Sequence, residues 1–459
     1  MILNPKGTDV GEGLVEPFID IGGREVRCIA DAHDTPTFIY DDDYFGMSVA
    51  SLKTMWDETF GDSKMYLSYK TNYMTALCRT AHAKGVGADV VSGYELEHAL
   101  RMCPGGPIVF NGPLKRPEEI MRAVNADVTI NVDLLEELRI LANLRKGKKI
   151  SEPRLGLRVN PGKAVFRSPD PSFVEVHETR QKTAKFGWPI EGGKAAEAAE
   201  EVRRHGFDIS AVHAHLNSQI TDVDLHIEAL LPVLDFARSL RNAGAPVSEI
   251  NIGGGFGVPG MRRQRRGWWS ELRQKMGEVP REESHSVFDM AKFLRALHAV
   301  VRERALDDLT ISCEPGRYLM SDCMALLTRV VGVKQLRGRT WVILDGGLNI
   351  LPTAAFGERR RLRFFRKDEE IWPTEGDPLV SLGGPLCYEG DVVMSQVRVP
   401  ASIAAGDLVL VSDAGAYTVS RSTNFNQPRA AVVSRNGDSG LEVWRREDYN
   451  DIFSFESRI

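Results

Sequence analysis

With 459 residues, 42% hydrophobic and 26% charged, the chain is too long for one small core and suits a large barrel plus a second domain. A net charge of −5 provides no broad field for nucleic acid or an anionic membrane surface, and no apolar run approaches the roughly 18 residues that span a bilayer. Cysteines 28, 78, 103, 313, 323 and 387 form no Cys-x-x-Cys pair, and Met1–Gly7 lacks a basic region leading into an apolar one; both suit a soluble, cytoplasmic enzyme with reduced thiols.

Taken in order, residues 25–40 read as an extended stretch ending Thr35-Pro36-Thr37-Phe38-Ile39-Tyr40, after which Asp41-Asp42-Asp43 opens a helix. Strands and amphipathic helices then alternate. The strands fall at 65–69, 87–91, 108–111, 126–131, 154–160, 209–216, 249–253 and 309–314; one helix follows at 72–84, and Ser92 opens another that carries Glu95. This is the pattern of a (β/α)8 barrel, whose functional residues collect at strand C-terminal ends. Beyond Pro315 the pattern becomes β-rich, at 325–335, 340–345, 392–400, 407–412, 430–435 and 441–444. The expected division is a barrel over 41–318 and a β-domain made of 1–40 and 319–459.

Four strand ends carry chemistry. Lys70, in Ser68-Tyr69-Lys70-Thr71-Asn72, is either an ordinary surface lysine or, if desolvated in a cavity, a nucleophile able to form an imine. Gly253-Gly254-Gly255-Phe256-Gly257 lets backbone N–H groups approach a phosphate; a dinucleotide loop fits less well, because the spacing is not Gly-x-Gly-x-x-Gly. His213 and His215, followed by Ser218, could start a zinc site but have no third ligand at suggestive spacing. Glu314-Pro315-Gly316-Arg317 is a plain turn, or a carboxylate for a pyridine nitrogen beside a phosphate-clamping arginine.

Together with Gly384-Pro385-Leu386-Cys387, Gly415-Ala416-Tyr417 and Phe425-Asn426, these motifs occur in the order found in the fold-type III pyridoxal-phosphate decarboxylases, the group of the diaminopimelate and ornithine decarboxylases. The resemblance runs from about residue 25 to about 435. It implies an alanine-racemase-like barrel followed by an all-β, Greek-key-like domain that takes in the N-terminal strand, with pyridoxal 5′-phosphate (PLP) as cofactor. It also implies a homodimer with shared active sites. By matching position it implies Lys70 as the cofactor's imine partner, His215 stacked on the ring and Glu314 at the pyridine nitrogen. Ser218, Gly254, Gly255, Arg317 and Tyr417 would surround the phosphate. Asp89 and Arg158 would lie under the ring and near its 3′-oxygen, and Cys387 would be lent by one subunit to its partner's site for protonation.

The match thins at the substrate. Tyr388 stands where these enzymes present a carboxylate, with Glu389 one step along, and Thr353 stands where the diaminopimelate enzymes carry an arginine. The expectation drawn from this is an amino-acid decarboxylase acting on something other than diaminopimelate, such as a conjugated or siderophore precursor. The arginines at 262, 263, 265 and 266 would then read an acidic substrate, or simply lie on a solvated face or edge strand, as would those at 359, 360, 361 and 363. The alternatives are a decarboxylase of diaminopimelate or another basic amino acid, a racemase or epimerase, and a non-catalytic homologue. Glu314 speaks against the racemase, and intact Lys70, Arg317 and Cys387 against the non-catalytic form.

Overall fold

The eight expected strand runs pair in parallel and close on themselves. In the computed structural model, which describes residues 21–61, 63–163, 165, 171–258, 262–263, 288–435 and 440–456, the ring runs through Lys64–Ser68, Gly87–Val90, Ile108–Phe110 and Thr129–Val132. It continues through Leu155–Asn160, Ile209–Ala214, Glu249–Asn251 and Thr310–Cys313, closing where Ser312 pairs with Lys64. Nearly every residue of these strands is buried, as expected of parallel strands covered on both faces. Helices between them are capped by their own sequence. Ser92 Oγ accepts from Glu95 N at 3.4 Å while Glu95 Oε2 accepts from Val91 N at 2.8 Å, a reciprocal cap that starts Gly93–Met102. Among the described residues, no helix is long and apolar enough to cross a membrane.

By its contacts the chain divides into two units, Val49–Val258 with Ser286–Tyr318, and Met1–Ser48 with Pro259–His285 and Leu319–Ile459. The first holds the barrel and the second is mostly sheet. In the second, Thr37–Tyr40 pairs antiparallel with Met324–Leu336 and parallel with Ala431–Ser434, so the N-terminal strand sits in the middle of that sheet. Leu408–Val411 flanks Met324–Leu336 on the other side.

Two expectations are corrected. Gly23–His33 is a helix, not extended chain: Val26, Ile29 and Ala30 recur at helical spacing and bury one face against Phe365, Leu410 and Val433. The arginines from 359 to 363 do not face solvent. Arg359 and Arg360 are buried, Arg361 pairs with Asp413 at 3.2 Å and Arg363 with Glu370 at 2.6 Å, within or just before the strand Leu362–Arg366. A run of cations looks solvated in sequence because its anions lie elsewhere in the chain.

Candidate active site

The C-terminal ends of the barrel strands bring one buried polar network together. Lys70 follows strand Lys64–Ser68, and its Nζ lies 3.2 Å from Asp89 Oδ2, with 35% of the side chain exposed to a cavity. Asp89 is fully buried and accepts from Ser68 Oγ at 2.8 Å and Asn111 Nδ2 at 2.7 Å. The same Asn111 amide donates to Glu314 Oε1 at 2.8 Å, which links the lysine's carboxylate to the glutamate across the barrel.

Glu314 accepts from three sides: Asn111, Asn251 Nδ2 at 3.0 Å and His213 Nε2 at 3.3 Å. Burial alone would raise its pKa, but His213, hydrogen-bonded to it, and the Lys70 cation hold the carboxyl well below its ordinary range, so it stays ionised. His215 lies at the cavity wall and accepts from Gly254 N through Nδ1 at 3.2 Å, which leaves the ring proton on Nε2. Burial, reinforced by Lys70, lowers its pKa to about 3, so the ring is neutral.

The glycines form a cradle where a side chain cannot fit. A Cβ on Gly254 would collide with the Glu314 carbonyl oxygen, and one on Gly255, at φ +95°, with that of Asn217. Asn217 Oδ1 accepts from Ser218 N at 2.8 Å, which closes the facing turn. Arg317 is buried at the start of the short helix Arg317–Met320, directly after Gly316, whose Cβ would strike the Thr71 hydroxyl.

A cavity of about 730 Å³, within the roughly 300–1,000 Å³ typical of small-molecule sites, opens onto Lys70, His215, Ser218 and Arg158. Arg158 reaches Asp133 at 3.5 Å and lies 4.6 Å from the ring centre of Phe186. Asp133 also accepts from Gly187 N at 2.7 Å, and its own N–H donates to Glu137, which pairs with the buried Lys115 at 3.0 Å.

The remaining candidates belong to the mostly-sheet unit. Cys387 is exposed on a loop held by Asp391, which accepts from Leu386 N and Leu348 N, both at 2.8 Å. Tyr388 is 58% exposed and meets Phe425 edge-on, and Glu389 is exposed beside it. Thr353 is buried and accepts from Arg360 Nη2 at 2.8 Å. Tyr417 has φ +56°, a left-handed conformation costing roughly 1–2 kcal/mol in a non-glycine residue; Gly415 N to Ser321 O and Thr418 Oγ1 to Ala414 O brace the turn. Arg262 and Arg263 form a short ladder with Glu358 and Arg359, while Arg265 and Arg266 lie outside the described residues. Among the described residues, no group of three or more His, Cys, Asp or Glu could hold a metal, and His213 is engaged with Glu314. Sequence reading missed Asn111, Asn251 and Asp133, and did not pair His213 with Glu314.

A parallel barrel whose strand ends combine a lysine, an ionised glutamate and a glycine cradle has the makings of a PLP-binding site. The residues fit PLP: an acceptor-only carboxylate is poised for a protonated pyridine nitrogen, and the cradle leaves bare backbone for a phosphate. Residues 47–321 match the family model for the pyridoxal-dependent decarboxylase pyridoxal binding domain, and the chain belongs to that family of PLP-dependent decarboxylases. Along 99% of its length it is 28% identical to the diaminopimelate decarboxylase of Methanocaldococcus jannaschii, 97% of which is covered. It is 29% identical to that of Bacillus subtilis, with 95% of each chain covered. The crystal structure of the M. jannaschii enzyme with L-lysine superposes with a TM-score of 0.77 at 25% identity, over 95% of this chain and 94% of that one.

These relatives overturn the expectation of a substrate other than diaminopimelate, and nothing in them points to siderophore synthesis. That expectation rested on Thr353 and Tyr388 read as single positions. In the fold a guanidinium, that of Arg360, does stand at Thr353, and a carboxylate, Glu389, adjoins Tyr388.

Proposed function

We propose that the chain decarboxylates diaminopimelate, replacing one α-carboxylate with a proton to yield lysine and CO2. The observation carrying the reaction type is Glu314, held ionised by His213, Asn111 and Asn251 and joined through Asn111 to Asp89, the carboxylate beside Lys70. Bound PLP supplies a protonated pyridine ring that takes up the electron pair left by departing CO2. Lys70 would hold the cofactor through its aldehyde carbon, Asp89 would keep the lysine oriented, and neutral His215 would cover one ring face without adding charge. Ser218, Gly254, Gly255, Arg317 and Tyr417 would receive the phosphate, and Arg158 would lie near the ring's 3′-oxygen. The relatives' shared name, over nearly the whole chain, supports diaminopimelate as the substrate.

The active unit in this reading is a cytoplasmic homodimer in which Cys387 of one subunit serves the other's site and delivers the proton that replaces CO2. Its support is the exposure of Cys387 together with Tyr388, Phe356 and Phe425, apolar side chains that a second copy would cover. The test is CO2 release from meso-diaminopimelate with lysine identified as product. Efficient turnover of ornithine or lysine with none of diaminopimelate would overturn the substrate assignment.

A further inference from the structure

Neighbouring barrel strands carry a line of buried polar side chains that stops at a glycine. Asp89 lies in Gly87–Val90, Asn111 directly follows Ile108–Phe110, Asn131 lies in Thr129–Val132 and Gly156 in Leu155–Asn160, and these strands pair in that order. Asp89, Asn111 and Asn131 are all buried. Asn131 Nδ2 donates to Asn111 Oδ1 at 2.8 Å, and Asn111 Nδ2 donates both to Asp89 Oδ1 at 2.7 Å and to Glu314 Oε1 at 2.8 Å.

The direction of the donors along this line is forced. Asp89, beside the Lys70 cation, and Glu314, held ionised, can only accept. Asn111 must therefore turn its NH2 group to them, and both hydrogens of that group are engaged, one on each carboxylate. Its oxygen is left facing Asn131, which must present an NH2 group in turn. The Asn131 oxygen then has no hydrogen-bond partner among the described residues, and it fills the place of a side chain at Gly156, where a Cβ would collide with it. A buried carbonyl without a partner costs stability, and what it secures here is a single orientation of Asn111.

We propose that Asn111 and Asn131 are positioning residues that make Asp89 and Glu314 act as one unit, so that the charge at the Lys70 end of the cofactor is felt at its pyridine nitrogen. The proposal rests on the reading that Lys70 holds the cofactor and Glu314 meets the pyridine nitrogen. An amide shared by both carboxylates ties their basicities together: when one draws the amide closer the other loses part of its donor, and they titrate as a pair. Among the described residues, the other ionisable groups surrounding this pair are Lys70, Glu95, Arg158, His213 and His215.

The experiment uses holoenzyme carrying isotopically labelled lysine side-chain nitrogen and PLP labelled at the ring nitrogen, and reads the pyridine and cofactor-linked Lys70 signals by nitrogen NMR. Asn111→Leu keeps the volume and removes the donors, so both carboxylates become more basic. The protonation equilibrium at each cofactor-facing nitrogen should then shift about tenfold, and both signals should move toward the protonated form. Asn131→Leu touches neither carboxylate, yet by releasing Asn111 it should move both signals the same way by a smaller amount. Asparagines with a merely structural role would lower the melting temperature and leave the signals in place. That result, or a signal that moves away from the protonated form, would overturn the coupling. If Asn111→Leu does not hold the cofactor, Asn131→Leu decides alone. Glu314→Gln keeps the two readings apart: a pyridine signal that this change does not move removes Glu314 from the ring nitrogen. A signal that answers to Glu314→Gln but to neither asparagine variant removes only the coupling.

Discussion

Exchanging Glu314 for Gln tests the electrostatic core of the site most directly. The amide oxygen can keep both asparagine donors, Asn111 at 2.8 Å and Asn251 at 3.0 Å, but the amide nitrogen then faces His213 Nε2, a donor in the parent. His213 must move its proton to Nδ1, which is buried and has no hydrogen-bond partner, so the fold should lose about 1–3 kcal/mol, the cost of one unsatisfied buried donor. The chemical step should lose more. Without a negative charge at the pyridine nitrogen, the protonated ring is no longer favoured, and the rate should fall about 10²- to 10³-fold, comparable to removing one preorganised electrostatic group. Rapid-quench single turnover of diaminopimelate measures the step, cofactor absorbance measures occupancy, and a melting curve measures the fold. A single-turnover rate within twofold of the parent, with the cofactor bound, would refute the role given to the Glu314 charge.

Gly255→Ala places a Cβ on the Asn217 carbonyl at φ +95°, so PLP affinity by equilibrium dialysis should fall at least about tenfold; unchanged affinity would show that the cradle does not hold the phosphate. His226 sits among Phe256, Phe288 and Phe293 with neither ring nitrogen hydrogen-bonded, and burial lowers its pKa from 6.5 to about 3. A depressed histidine contributes full stability above pH 6.5 and loses it as pH falls toward 3, so between pH 6.5 and 5 the parent should lose about 2 kcal/mol more than His226→Phe in urea unfolding. Parallel pH profiles for the two proteins would contradict this. Mixing inactive Lys70→Ala and Cys387→Ala subunits should restore activity at one site of two in the heterodimer, and no recovery after verified exchange would rule out a site shared between subunits.

What was legible in the sequence was local. Each barrel strand announced itself by a short buried run with a polar residue at its end, and Lys70, His215, Glu314 and the glycines could be named because each sits within a few residues of such an end. Their partners were not legible, because barrel closure joins residues far apart in sequence. Asn111 and Glu314 are 203 positions apart, His213 and Glu314 101, and Asn251 and Glu314 63, and no periodicity connects them. Gly23–His33 was missed for a different reason. Its apolar residues are few and its N-cap is a glycine without a side chain to cap it, so the helical spacing of Val26, Ile29 and Ala30 is a short signal that tertiary burial has to reinforce.

The substrate shows the same limit more sharply. Thr353 in place of an arginine reads in sequence as a missing charge, yet charge at a site is a property of space. Arg360, seven residues later, brings its guanidinium to 2.8 Å from Thr353 Oγ1 and 3.4 Å from Glu358, because the turn after Pro352–Phe356 folds the chain back on itself.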